Sequence, residues 1–153
     1  MRGDSAGSGE CVQVVELSMS EKLIIHPNPG ITFGQLYENL QRFFPSLKTL
    51  PVWQQLDWQN EPTYHSNILS EVAMEMIRWG KAGKWKDVER LLAMIEEGFS
   101  HGTSDVQAYL GTDFTVTITE CDDRPVREKI KEMFLTETAE AYRLNLLAYR
   151  EPN

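Results

Sequence analysis

Cysteine is scarce in this chain of 153 residues, which has only Cys11 and Cys121. A disulfide-built domain needs more cysteines at closer spacing, so that class is excluded. No C-x-x-C pair occurs, which removes a thioredoxin-like redox site, and the two thiols read as unpaired in a reducing cytosol. No run of about 18 apolar residues exists, so no membrane-spanning helix is expected. The first residues lack the charged-then-apolar order of a secretion signal, and the expected location is cytoplasmic. Positive charge is also in short supply. Lys and Arg number 15 against 23 Asp and Glu, for a net charge of −8. A nucleic-acid binder normally carries a basic face, and this balance argues against one.

Catalytic and ligand-binding signatures are missing in the same way. There is no G-x-S-x-G, no S-x-x-K with its partner motifs, and no glycine-rich phosphate loop. Gly80-Lys81-Ala82-Gly83-Lys84 has the composition of such a loop but no preceding strand, and it reads as a turn between helices. The histidines His26, His65 and His101 are not spaced as metal ligands on one helix, and no H-E-x-x-H occurs. Glu71 and Glu75 share a helix face but lack the E-x-x-H partners of a di-metal bundle. Glu96 and Glu97 point about 100° apart, so they do not pair as acid and base. These carboxylates read as solvated surface, and no cofactor is expected.

What is present is a recurrent apolar period. Aliphatic and aromatic residues make up enough of the chain (41% hydrophobic, 10% aromatic) to rule out wholesale disorder, and its length suits one domain. Residues 1–10 are rich in small residues, and 1–20 read as a flexible, disordered N-terminal tail, in which Val12 to Leu17, like Leu23 to Ile25 after it, is a short apolar run that suits a short strand or a loosely held helix. Residues 21–153 read as a single helical domain, with Met19 a second candidate start of translation. Arg2-Gly3-Asp4 in the tail is too short a motif to signal adhesion. Pro27, Pro29 and Gly30 interrupt the chain before the first confident helix.

That helix spans about 32–44. Thr32 and Gln35 have capping-box spacing, and Phe33, Leu36, Tyr37, Leu40 and Phe44 form its stripe. Residues 46–64 hold Pro51, Trp53, Trp58 and Pro62 and read as a long irregular connection pinned by its tryptophans. A second helix covers about 66–81, capped by Ser66 or Asn67, with Ile68, Leu69, Val72, Met76 and Trp79 inward. A third covers about 84–100, with Trp85, Val88, Leu91, Leu92, Ile95 and Phe99 inward. The few residues between them predict antiparallel neighbours.

The fourth element begins at Thr103 or Ser104. Val106, Tyr109, Leu110, Phe114 and Ile118 keep helical spacing, while the β-branched run Thr115 to Thr119 would suit a strand. The longer period favours helix. Asp123 then caps a helix with Pro125 in its first turn and Val126, Ile130, Met133 and Phe134 inward. Thr136 either caps a further helix to Tyr149, with Ala139, Tyr142, Leu146 and Tyr149 inward, or the two run together with a bend. The expected fold is all-α, with five or six amphipathic helices in a bundle or short helical-hairpin array.

The most unusual feature is charge placement. Asp105, Asp113, Glu120, Asp122 and Asp123 fall within 19 residues that contain no Lys or Arg. Such a stretch makes a local negative field that speeds encounter with a basic partner, so these five are the candidate partner-binding residues.

Trp85, Val88, Leu91, Leu92, Ile95 and Glu96, followed by Gly102, Val106 and Phe114, form a pattern that resembles small uncharacterised bacterial all-helical proteins. Some of those are similar to immunity proteins of polymorphic toxin systems. The resemblance covers residues 32–120 and rests on apolar spacing, so no functional residue carries over. It implies a non-enzymatic interaction domain, an immunity-type inhibitor that covers the basic active site of a toxin. The alternative reading is an enzyme or small-ligand binder with an interhelical pocket lined by Trp53, Trp58 and Trp79. A third is a self-associating structural domain, since the sequence leaves oligomeric state open.

Overall fold

The computed structural model describes residues 30–54 and 64–152. The expected N-terminal tail, His26 and Trp58 lie outside the described residues. Among those described, the architecture is all-α, with one isolated bridge pair, Ile31 with Gly102, as the sole β feature. No helix among them is long and apolar enough to cross a membrane.

Helix α1 runs Phe33–Phe43 and starts as its sequence dictates. Thr32 accepts from Gln35 N while the Gln35 side chain accepts from Thr32 N, a complete capping box. Pro45 denies the next turn its α-helical donor, and the chain tightens into a 3₁₀ turn, Pro45–Thr49. A single turn, α2, follows at Pro51–Gln54 and buries Trp53. The segment expected to be irregular is therefore partly helical, because two prolines suit first-turn positions.

Helices α3 (His65–Lys81) and α4 (Trp85–His101) are the longest elements. The start of α3 differs from the expectation. Helix begins at His65, ahead of Ser66 and Asn67, and Tyr64 at the cap position makes no side-chain cap. Its end follows from glycine. Gly83 has φ 78°, Lys84 N donates to Trp79 O, and Gly83 N donates to Gly80 O. This is a left-handed C-terminal motif that reverses the chain within three residues. The stripes of both helices are buried as expected, with Trp85 and Phe99 at the margin.

The fourth element is one helical rod with a defect. Helix α5 (Ser104–Tyr109) passes through a π-helical segment (Leu110–Phe114) into α6 (Thr115–Thr119). Val106, Leu110, Phe114 and Ile118 are fully buried along it. The β-branched run is helical after all, and its threonines bond back onto the rod: Thr115 Oγ1 donates to Gly111 O and Thr117 Oγ1 to Asp113 O. Such back-bonding loosens a regular helix, in keeping with the widened turn at 110–114. Tyr109, assigned inward by spacing, is exposed instead.

Helix α7 (Arg124–Glu132) is capped by Asp123, which accepts from Val126 N, with Pro125 in the first turn. Helix α8 (Thr136–Asn145) is separate from it, as one of the two sequence readings has it. Leu135 rather than Thr136 holds the cap position, and the helix ends four residues before Tyr149. Its inward face also differs. Thr138 and Tyr142 are buried, while Ala139, Leu146 and Tyr149 are exposed. The core runs continuously from Leu36 through α3, α4 and the composite rod to Ile130 and Tyr142.

Candidate functional site

The five acidic residues singled out by the sequence do not form one surface. Asp105 is exposed in the first turn of α5, and Glu120 is exposed just past the end of α6. A rise of about 1.5 Å per residue puts them roughly 20 Å apart along the rod. Asp113 is half-buried on the π segment and accepts from Ser66 Oγ of α3 and from Thr112 Oγ1, each at 3.1 Å. Asp123 is the α7 cap. Asp105, Glu120 and Asp122 thus present carboxylates to solvent, while Asp113 and Asp123 have structural partners.

Two tryptophans of the pocket reading, Trp53 and Trp79, sit in the core. Trp53 donates Nε1 to Gln41 Oε1, and Trp79 donates Nε1 to Glu75 Oε2 while packing on Phe44. Glu75 is consequently more than a solvated carboxylate, since it also accepts from Arg78 Nε at 2.7 Å. His65 stacks on Phe33 with ring centroids 3.6 Å apart, and its Nδ1 lies 2.7 Å from Tyr37 Oη. His101 ends α4, with Nε2 3.9 Å from Glu97 Oε1. Among the described residues, no group of three or more His, Cys, Asp and Glu converges to hold a metal ion.

The surface that stands out is the end of the chain. Leu144, Leu146, Leu147 and Tyr149 are all exposed, Leu147 by 77%, and Leu135 is exposed at the other end of α8. Leu144 lies on α8 and the others flank it, an element that buries little of its own apolar surface. Polar contacts hold α8 instead. Glu96 of α4 reaches its first turn, where Oε2 accepts from Glu137 N at 2.8 Å and Oε1 accepts from Thr138 N and Oγ1 at 2.9 and 2.8 Å. Burial tends to raise the Glu96 carboxyl, but those three bonds outweigh it and hold the group below its ordinary range. At the other end, Asn145 Nδ2 donates to Gly111 O of the π segment at 2.9 Å and contacts Thr115 Oγ1, the first residue of α6.

Sequence reasoning assigned Leu146 and Tyr149 to the interior and Glu96 to solvent. The period of α8 is weak because its buried positions are Thr138 and Tyr142, residues that an apolar count scores low or only once. The signal that would have found Glu96 is the missing side-chain cap at Leu135.

One family, described as a domain of unknown function (DUF7674), matches residues 37–148. No curated protein and no solved structure matches the chain. The matched span takes in most of α1, all of α2 to α8 and the exposed leucines that follow, so the chain belongs to the DUF7674 family.

Proposed function

We propose that this chain is a non-enzymatic protein-interaction domain, and that its binding face is the apolar end formed by Leu144, Leu146, Leu147 and Tyr149. The observation that carries the reading is their joint exposure within six residues of sequence. Contiguous exposed apolar surface marks interaction sites more often than it marks an idle exterior. The net charge of −8 supports a basic partner, because an acidic field speeds encounter with one. Asp105, Glu120 and Asp122 contribute to that field from exposed positions. The finer form of the reading is an immunity-type inhibitor of a basic toxin. It draws on the small all-helical build, the acidity and the pattern of apolar spacing.

The test is co-expression with the products of neighbouring genes, each assayed for growth arrest alone and in combination. The expected result is one basic product whose toxicity this chain relieves by forming a stable complex. Leu147→Asp should weaken that complex by tenfold or more, about 1.4 kcal/mol, while leaving the melting temperature unchanged. Relief with no loss on Leu147→Asp would remove the apolar end as the binding face. Absence of any basic partner would remove the inhibitor reading.

A further inference from the structure

Arg127 of α7 is 2% exposed. Taking a guanidinium out of water is costly unless its donors are all engaged. One nitrogen, Nη1, donates to Cys121 O at 2.7 Å. Nε has no hydrogen-bond partner among the described residues. Its nearest carboxylate oxygens are Glu128 Oε2 at 3.5 Å and Glu151 Oε1 at 3.9 Å, both beyond ordinary bond length. One turn along, Lys131 Nζ lies 2.6 Å from Glu151 Oε2 and 3.3 Å from Glu128 Oε2. Tyr142 of α8 donates its hydroxyl to the same Glu151 oxygen at 2.6 Å.

Cationic and hydroxyl donors from two helices therefore converge on one carboxylate. Burial first, and then the adjacent Glu151 charge, push the Tyr142 phenol far above its usual range, so it remains a proton donor. Burial tends to raise Glu151, but bonds from Lys131 and Tyr142, with the charges of Lys131 and Arg127, hold it ionised below its usual range. The occupant arrives on residues 150–152, a strap that belongs to no helix. Glu151, with Oε1 3.9 Å away, leaves the buried Arg127 Nε unengaged.

We propose that Arg127, Lys131 and Tyr142 form a carboxylate-binding site and that Glu151 is its displaceable occupant. The external ligand is a carboxylate, carried either by a small free acid or by an acidic side chain in an extended peptide. Charge and hydroxyl donation supply recognition, as they do for the strap.

Chemical rescue tests this on the full chain. Glu151→Ala empties the site and should lower the melting temperature; Glu151→Gln, which keeps the shape without the charge, serves if the alanine variant does not fold. Sodium acetate should raise the melting temperature with the logarithm of its concentration above Kd, by about 3–6 °C at tenfold over Kd, where sodium chloride at equal ionic strength does not. A peptide spanning residues 148–152 should do so at lower concentration than acetate if the ligand is a side chain in an extended segment, and no better than acetate if it is a free acid. Lys131→Met in the same background should abolish the rescue. Failure of both probes to exceed chloride, or rescue that survives Lys131→Met, overturns the site.

Discussion

Helix α8 begins without a side-chain cap of its own, and a carboxylate from a helix some forty residues earlier in the chain supplies one. Glu96 satisfies two first-turn amides and one hydroxyl, and its negative charge faces the positive end of the helix dipole. Glu96→Gln removes the charge and leaves only one acceptor oxygen. The expected cost is about 0.5–2 kcal/mol at neutral pH, the range of a lost cap, measured by denaturant titration. The pH dependence follows from the lowered carboxyl. Stability from a group whose folded pKa is depressed is fully present above its unfolded value, near 4.5, and is lost as pH falls through the folded value. The gap between wild type and variant should therefore be constant from neutral pH down to about 5 and narrow below that. A gap that widens on acidification would contradict the assignment.

Glycine makes a separate residue-scale point. A Cβ built on Gly98 of α4 would stand 2.7 Å from Leu110 Cδ1. Close approach of α4 to the π segment thus depends on the absent side chain, at a position inside a helix where glycine otherwise costs about 1 kcal/mol against alanine.

At the scale of elements, α3 and α4 differ in kind from α8. The two long helices bury full aliphatic stripes, whereas α8 buries Thr138 and Tyr142 and is otherwise held through Glu96, Asn145 and the Tyr142–Glu151 bond. Segments with few buried apolar contacts open at lower free energy than the global unfolding transition. Native-state hydrogen exchange should show α8 amides exchanging through a local opening, while those of α3 and α4 around Val72 and Leu92 exchange with global unfolding. Identical opening energies for α8 and α4 would mean that the polar fastenings are as strong as the aliphatic core. The proposed binding face sits at the end of this same element, so a partner there would engage a segment with few buried apolar contacts.

At the scale of the whole molecule, one continuous core unites helices from α1 to α8. Leu92 is 1% exposed at its centre. Leu92→Ala should cost about 2–5 kcal/mol in a cooperative unfolding transition, the transfer of the lost methyl groups plus the cavity they leave. A change near zero would show that this part of α4 is free to collapse. Outside this core, the exposed carboxylates of Asp105 and Glu120 lie at opposite ends of the rod, a field rather than a single acidic pocket.

Helix class, order and most inward faces were legible before any coordinates. Each depends on neighbours within four residues: the capping box at Thr32, the reversal at Gly83, the cap at Asp123, and the aliphatic period of α3 and α4. Even the contest between period and β-propensity at 115–119 was settled in favour of the period, since Ile118 had to reach the core. The face of α8, the role of Glu96 and the convergence on Glu151 were not legible. Glu96 meets Thr138 across 42 residues, Asn145 meets Gly111 across 34, and Lys131 meets Glu151 across 20. Polar pairings of that span leave no periodic trace, because hydrogen bonds between distant residues depend on where packing has already put the helices, and that packing is a property of the assembled core.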